Sequence, residues 1–310
     1  MTKPITSMQM PVIDKQAYLL LKRLIFGVLA LTLVFFPGRE VAGQKGYLLK
    51  MEETKVDVRL LEEQLNQLNG DARATASRLG RSALSVLLKR TKAASPRERA
   101  LVLECLAEVK GEEAVQALID ALNDPEQDVW NTALNLLHVT HSPGAVGPLS
   151  AFLAQSPHPR IRGEVARILG RMGASSALPA IKSQLGREED REAAFKMKLA
   201  IAKLEDGPER QEVLSRLSHE DPKIRYKAIG ELEYINEPTL VKRLLPLLSD
   251  EARVVNVGQE RWPIWHRVCD RALEAVASLT GKTFPFPTGN RVYNAEQLRM
   301  ARELIAAAGK

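Results

Sequence analysis

Residues 124–185 read DPEQDVWNTALNLLHVTHSPGAVGPLSAFLAQSPHPRIRGEVARILGRMGASSALPAIKSQL. One unit occurs here twice. Each copy opens on a turn with proline, Asp124-Pro125 and then His158-Pro159. An aliphatic residue follows (Val129, Ile161), then an apolar helical face: Ala133, Leu134 and Leu137 in the first copy, Val165, Ala166 and Leu169 in the second. After a short break a second helix begins at Val146 or Leu178. Val129 and Ile161, Leu137 and Leu169, and Val146 and Leu178 all stand 32 residues apart. A fixed period of this size is the signature of stacked helical hairpins, each too thin to bury its own apolar stripe and therefore leaning on its neighbours.

The period extends in both directions. Upstream, Asp71–Ser95 makes a first hairpin around Leu84, and Pro96 to Asp124 a second, with Leu101, Cys105 and Leu106 on one helix and Val115, Leu118 and Leu122 on the other. Downstream, Ala193, Met197 and Ile201 keep the register, followed by Val213, Leu214 and Leu217. A sixth hairpin opens at Asp221-Pro222-Lys223-Ile224-Arg225 and runs through Ala228, Ile229, Leu232 and Ile235 to Leu240, Leu244 and Leu247. Asp124, Asp190 and Asp221 are placed to cap first helices, where proline in the first turn loses no hydrogen bond. Gly111, Gly144, Gly173 and Gly207 follow first helices, where the chain must reverse.

The register breaks after Leu248. Residues 249–265 are an insertion in which Val254, Val255 and Val257, then Gly258, then Trp262, Ile264 and Trp265 suit a short hairpin loop. The apolar pattern resumes with Val268, Ala272, Leu273, Val276 and Leu279. An irregular Phe/Pro segment covers residues 282–292, and Asn294 starts a last amphipathic helix, with Gln297 placed for a capping box. This end reads as a cap, residues 282–310, closing an array over residues 71–281.

Two segments precede the array. Residues 44–70 form an amphipathic helix in which Met51, Val58 and Leu65 share one heptad position and Leu61 and Leu68 another. So few heptads favour packing on the first hairpin over a coiled coil. Residues 24–36 are almost all apolar, follow Lys22-Arg23 and are too short for a comfortable membrane span. With Val41-Ala42-Gly43 behind them they fit a cleaved export signal ending near Gly43, within a leader of residues 1–43; the alternative is an uncleaved anchor over residues 18–36 in contact with the inner membrane. The mature protein is then expected in the periplasm or outside the cell, with Met1, Met8 and Met10 as competing starts.

The formal net charge is +6, and residues 1–43 account for +3 of it. The remainder lacks the concentrated basic face of a nucleic-acid binder. Cys105 and Cys269 sit far apart among apolar residues, without zinc spacing or a Cys-x-x-Cys motif, and read as buried hydrophobes.

Leu169-Gly170-Arg171-Met172-Gly173-Ala174-Ser175-Ser176-Ala177-Leu178-Pro179-Ala180-Ile181 resembles the core of a HEAT-like repeat, of the short type also found in phycobilin lyases, and Asp221-Pro222-Lys223-Ile224-Arg225 resembles that family's inter-repeat turn. The resemblance covers roughly residues 71–280. It implies an all-α, right-handed superhelix of about seven antiparallel hairpins, armadillo-like, with second helices lining the inner face. It implies little about activity, because such repeats serve many functions. His219-Glu220 resembles the His-Glu pairs of iron-dependent HEAT-repeat hydroxylases, but that family needs several pairs and this chain has one.

No phosphate loop or nucleophile elbow occurs, and no cofactor is expected. His138 and His141 are spaced for a metal but fall at a turn without a third acidic ligand; no metal site is expected. Glu188, Glu189 and Asp190 read as a solvated turn. Two features suit binding. One is a polar ribbon on the second helices that includes Gln116, Asp120, Ser150, Lys182, Arg216, Lys242 and Arg243. The other is Arg261, Trp262 and Trp265 in the insertion, residue types enriched in binding hot spots. The leading expectation is a non-enzymatic scaffold of the cell envelope that takes a protein or peptide along its concave face. The alternatives are a nucleic-acid-binding HEAT-like protein and a bilin-lyase-type chaperone-enzyme.

Overall fold

A computed structural model describes residues 39–140, 142–256, 264–289 and 291–307. Its elements in order are α1 (Arg39–Asn66), α2 (Ala72–Leu79), α3 (Leu84–Arg90), α4 (Pro96–Val109), α5 (Glu112–Asp120), α6 (Gln127–Val139), α7 (Val146–Gln155), α8 (Pro159–Arg171), α9 (Leu178–Leu185), α10 (Arg191–Leu204), α11 (Pro208–Ser215), α12 (Pro222–Ile235), a pair of 3-10 turns (Pro238–Leu244 and Pro246–Ser249), β1 (Arg253–Asn256), β2 (Trp265–Arg267), α13 (Val268–Thr280) and α14 (Ala295–Ala307). The architecture is the expected row of helical hairpins. The first helices α4, α6, α8, α10 and α12 pack in sequence, and each is followed by a shorter second element. Residues 1–38 of the leader, including the apolar run of residues 24–36, lie outside the described residues; α1 starts at Arg39, inside the expected leader, and runs on without a break past Gly43, so the helix expected from residue 44 begins earlier. Among the described residues no helix is long and apolar enough to cross a membrane.

The local signals act largely as expected. The carboxylates of Asp190 and Asp221 accept backbone N–H bonds at 2.8 Å from Ala193 and Lys223 and cap α10 and α12. Asp124 differs: α6 begins only at Gln127, so Asp124 instead bends the preceding turn by accepting from the Glu126 N–H at 2.9 Å. Gly173 ends α8 with φ 67°, a left-handed conformation that suits glycine, and the Ala174 N–H reaches back to the Leu169 carbonyl at 3.1 Å. At the other end of the chain, Asn294 and Gln297 form the capping box, with both side-chain-to-backbone bonds at 2.9 Å. The sixth second element is not an α-helix. Of its expected apolar positions Leu244 and Leu247 are buried and Leu240 only partly so, with Val241 and Leu248 buried beside them, but Pro246 has no N–H to continue the ladder and the segment stays in 3-10 turns.

Apolar burial follows the row. One cluster runs from Leu61 to Ile201 and another from Leu214 to Ile305, with Leu199, Ala202, Val213 and Ile235 forming a small patch of their own. Leu61 and Leu65 of α1 are fully buried against the first hairpin, whereas Met51 and Tyr47 are exposed, so only the last part of α1 belongs to the array. The tightest junction joins α8 to α10. A Cβ on Gly170 would collide with the Tyr234 hydroxyl of α12, which donates to the Arg167 carbonyl at 2.7 Å, and would lie 3.1 Å from the Ala200 Cα of α10, approaches that only the missing side chain permits.

A polar device also repeats. Arg99, Arg162 and Arg225 stand 63 residues apart, each the fourth residue of a first helix that starts with proline. Arg99 bonds both carboxylate oxygens of Asp124 at 2.8 Å, and Arg162 both of Glu188 at 2.7 Å. Arg225 reaches Asp250 at 2.6 Å. Each also donates to a carbonyl of the preceding turn, on Ala93, Ser156 and His219 respectively. Every second hairpin is thus tied to both flanking turns. Glu188, expected in a solvated turn, has its side chain fully buried in this clamp, and the hydrogen bond from Arg162 holds its carboxyl below the usual range.

Candidate functional site

Helix α5 shows how the fold builds a site. Ala114, Val115, Ala117, Leu118 and Ile119 bury one face. Glu112, Gln116 and Asp120, each four residues on from the last, therefore fall on the opposite face as one stripe. That stripe borders a groove of about 1000 Å³, bounded by the turn after α3 (Thr91, Lys92, Ala93), by α5, by Pro125 and by Pro148 of α7. Leu88, Leu103, Ile119 and Val129 contribute apolar surface to it. The Gln116 amide donates to Asp120 at 2.8 Å, so these two sequence-predicted residues stand together on the groove wall. The Arg99–Asp124 pair belongs to the same lining; burial works against the Asp124 charge, but Arg99 and the Glu126 N–H outweigh it and hold the carboxyl low.

The other predicted residues have separate settings. Lys182 pairs with Glu205 at 2.6 Å. Arg216 is not a free ribbon residue: it bonds Glu231 at 2.9 and 3.1 Å and stacks over the Phe195 ring at 4.4 Å, tying three hairpin elements together. Lys242 and Arg243 are exposed on the 3-10 turn and make no ion pair among the described residues. Trp265 lies on β2, 41% exposed, paired with Asn256 of β1; this antiparallel pair is the hairpin expected in the insertion. Arg261 and Trp262 fall outside the described residues.

Two polar clusters, one half-buried and one buried, escaped the sequence reading. In the first, Glu164 of α8 meets His138 Nε2 of α6 at 3.4 Å, Arg167 at 3.2 Å and Lys196 of α10 at 3.1 Å. Burial alone would raise the Glu164 carboxyl; the hydrogen bonds from His138 and Lys196 and the Arg167 charge bring it down to about 2. His138 is thus engaged with a carboxylate, and no group of three potential metal ligands occurs among the described residues; His141 is not among them. In the second, His266 of β2 is fully buried, its Nδ1 2.8 Å from Tyr226 Oη and its Nε2 3.5 Å from Glu274. Asp270, also fully buried, accepts from the Arg267 guanidinium and from the Arg267 and Tyr293 N–H groups at 2.8–2.9 Å. Burial opposes the charge of Asp270, and these bonds still hold its carboxyl low. The strand alternation Trp265-His266-Arg267 was the available signal, since it turns the middle residue inward.

The remaining candidates are structural. His219 Nδ1 accepts the Asp221 N–H at 3.0 Å within a turn. Cys105 and Cys269 are buried free thiols, pushed by burial up to about 12 and about 11.

No family model matches the chain, and no curated protein matches it. Solved structures do. The complex of CpcE and CpcF of phycocyanin lyase from Nostoc aligns over 76% of this chain and 88% of its own, at 17% identity and TM-score 0.38. An engineered protein aligns over 82% and 72%, at 17% identity and TM-score 0.34. Human deoxyhypusine hydroxylase in complex with glycerol aligns over 84% and 98%, at 14% identity and TM-score 0.35.

Proposed function

We propose that the chain is a non-enzymatic scaffold whose α3–α5–α7 groove holds a polypeptide segment. The observation that carries this reading is the groove itself: about 1000 Å³, with apolar side chains between polar rims, on the second-element side of a stacked array. The buried cluster at the last hairpin supports the non-enzymatic part. His266 and Asp270 are fully covered, with His266 Nδ1 at Tyr226 Oη and Asp270 held by Arg267. Localisation in the cell envelope, delivered by the leader, belongs to the same proposal; N-terminal sequencing of the native protein checks it, and a chain starting at Met1, Met8 or Met10 in the soluble cytoplasm overturns it.

A photo-cross-linking residue at Gln116, compared with one at exposed Arg171 on α8, tests the groove. The expected result is a discrete polypeptide adduct from position 116 and none from 171. Equal labelling from both, or none from 116, overturns the reading.

A further inference from the structure

If α5 walls a polypeptide groove, as proposed above, the charges on its rim select the occupant. The lining contains four carboxylates, Glu112, Glu113, Asp120 and Asp124, against Lys92 and Arg99. Asp124 and Arg99 cancel each other in a bidentate pair that is about one-tenth exposed on both sides. Glu113 is partly met by Arg81 at 2.6 Å, a side chain 84% exposed. Two carboxylates remain, Glu112 and Asp120, against one cation, Lys92, which is exposed and makes no ion pair among the described residues, so the rim keeps a net negative charge. Asp120 accepts only the neutral Gln116 amide, and Glu112 makes no hydrogen bond or ion pair among the described residues. They sit at opposite ends of α5, eight residues and therefore about 12 Å apart, above apolar side chains. This acidic rim belongs to a chain whose net charge is +6, so it runs against the general charge of the molecule.

The geometry points to a cationic amphipathic helix as the occupant: apolar side chains enter between α3, α5 and α7, and two Lys or Arg side chains seven or eight positions apart meet Glu112 and Asp120. A helix laid in a groove takes its affinity from the apolar anchors, while rim charges set partner choice and the speed of encounter. Anionic segments and nucleic acid are disfavoured by the same two carboxylates.

The test uses the full chain and two fluorescent peptides of roughly 18 residues, long enough to become helical on binding. One carries Leu and Lys, the other the same Leu positions with Glu. The Leu/Lys peptide is expected to bind, to weaken as salt rises, and to label from a cross-linker at Gln116. The double variant E112K/D120K changes only exposed positions, and an unaltered melting curve verifies its fold. It is expected to lose about tenfold or more in affinity for the Leu/Lys peptide and to gain binding of the Leu/Glu peptide. Equal binding of both peptides by the native chain, or indifference to the charge swap, while Gln116 still labels the peptide, overturns the cationic assignment and leaves the groove reading standing. Labelling of neither peptide from Gln116 overturns the groove reading and the cationic assignment together.

Discussion

The two ends of this array hold themselves together by different means. From Leu61 to Ile201 the hairpins follow one another at a near-constant period, and the joints are local: aliphatic stripes, close Gly–Ala contact between α8 and α10, and the arginine clamps at 99 and 162. From Leu214 to Ile305 the period fails. The third clamp, Arg225–Asp250, is still made, but Asp250 is followed by a strand pair and not by a new helix. This end closes through side chains distant in sequence. Tyr226 meets His266, Arg267 bonds the Tyr293 carbonyl at 2.7 Å, and Arg302 of α14 reaches back to the Leu248 carbonyl at 2.9 Å. The contrast teaches that repetition lets apolar pattern and short-range polar clamps, reused from hairpin to hairpin, specify an array. Where repetition stops, buried polar bonds must specify the register, and each is costly to leave half made.

Removing the buried carboxylate at the irregular end tests this most severely. Asp270→Ala strands the Arg267 guanidinium and two backbone N–H groups, and is expected to cost about 3–5 kcal/mol in denaturant unfolding. A loss as small as that of a surface substitution breaks the comparison.

Acid sharpens it from the other side. The Glu164 carboxyl lies below its unfolded value of 4.5, so it contributes stability above that pH and loses it as pH falls toward about 2. The full contribution is about 3 kcal/mol. Glu164→Gln is expected to flatten the stability–pH curve in this window. An unchanged slope shows that the α6–α8–α10 cluster does not carry it.

Gly170→Ala adds a methyl group where α8 touches α10 and the Tyr234 hydroxyl of α12, and is expected to cost about 1–3 kcal/mol, measured by thermal unfolding. The period of the hairpins, the capping acids Asp190 and Asp221 and this turn region were legible in the sequence because they depend on residues a few positions apart; Asp124, expected to cap as well, serves the turn instead. The partner of Gly170 was not: that approach depends on how two helices cross.

Trp265→Ser, at an exposed strand position, is expected to change stability by less than about 0.5 kcal/mol. A larger loss would mean that the hairpin is part of the cap and not an appendage to it.

The sequence by itself determined that the chain is a row of helical hairpins with capped first helices, one break near Leu248 and a final capping helix, because helix faces, caps and turns are written in spacings of three, four and 32 residues. It also marked Gln116 and Asp120 as outward positions on α5. Only the tertiary structure decided that these two wall a groove, that Arg216 and Glu188 are committed to internal pairs, and that His266 and Asp270 are buried. The physical reason is distance along the chain. A groove or a buried ion pair is made by residues from different hairpins, and their meeting depends on the angle at which one helix pair stacks on the next, which no local spacing records.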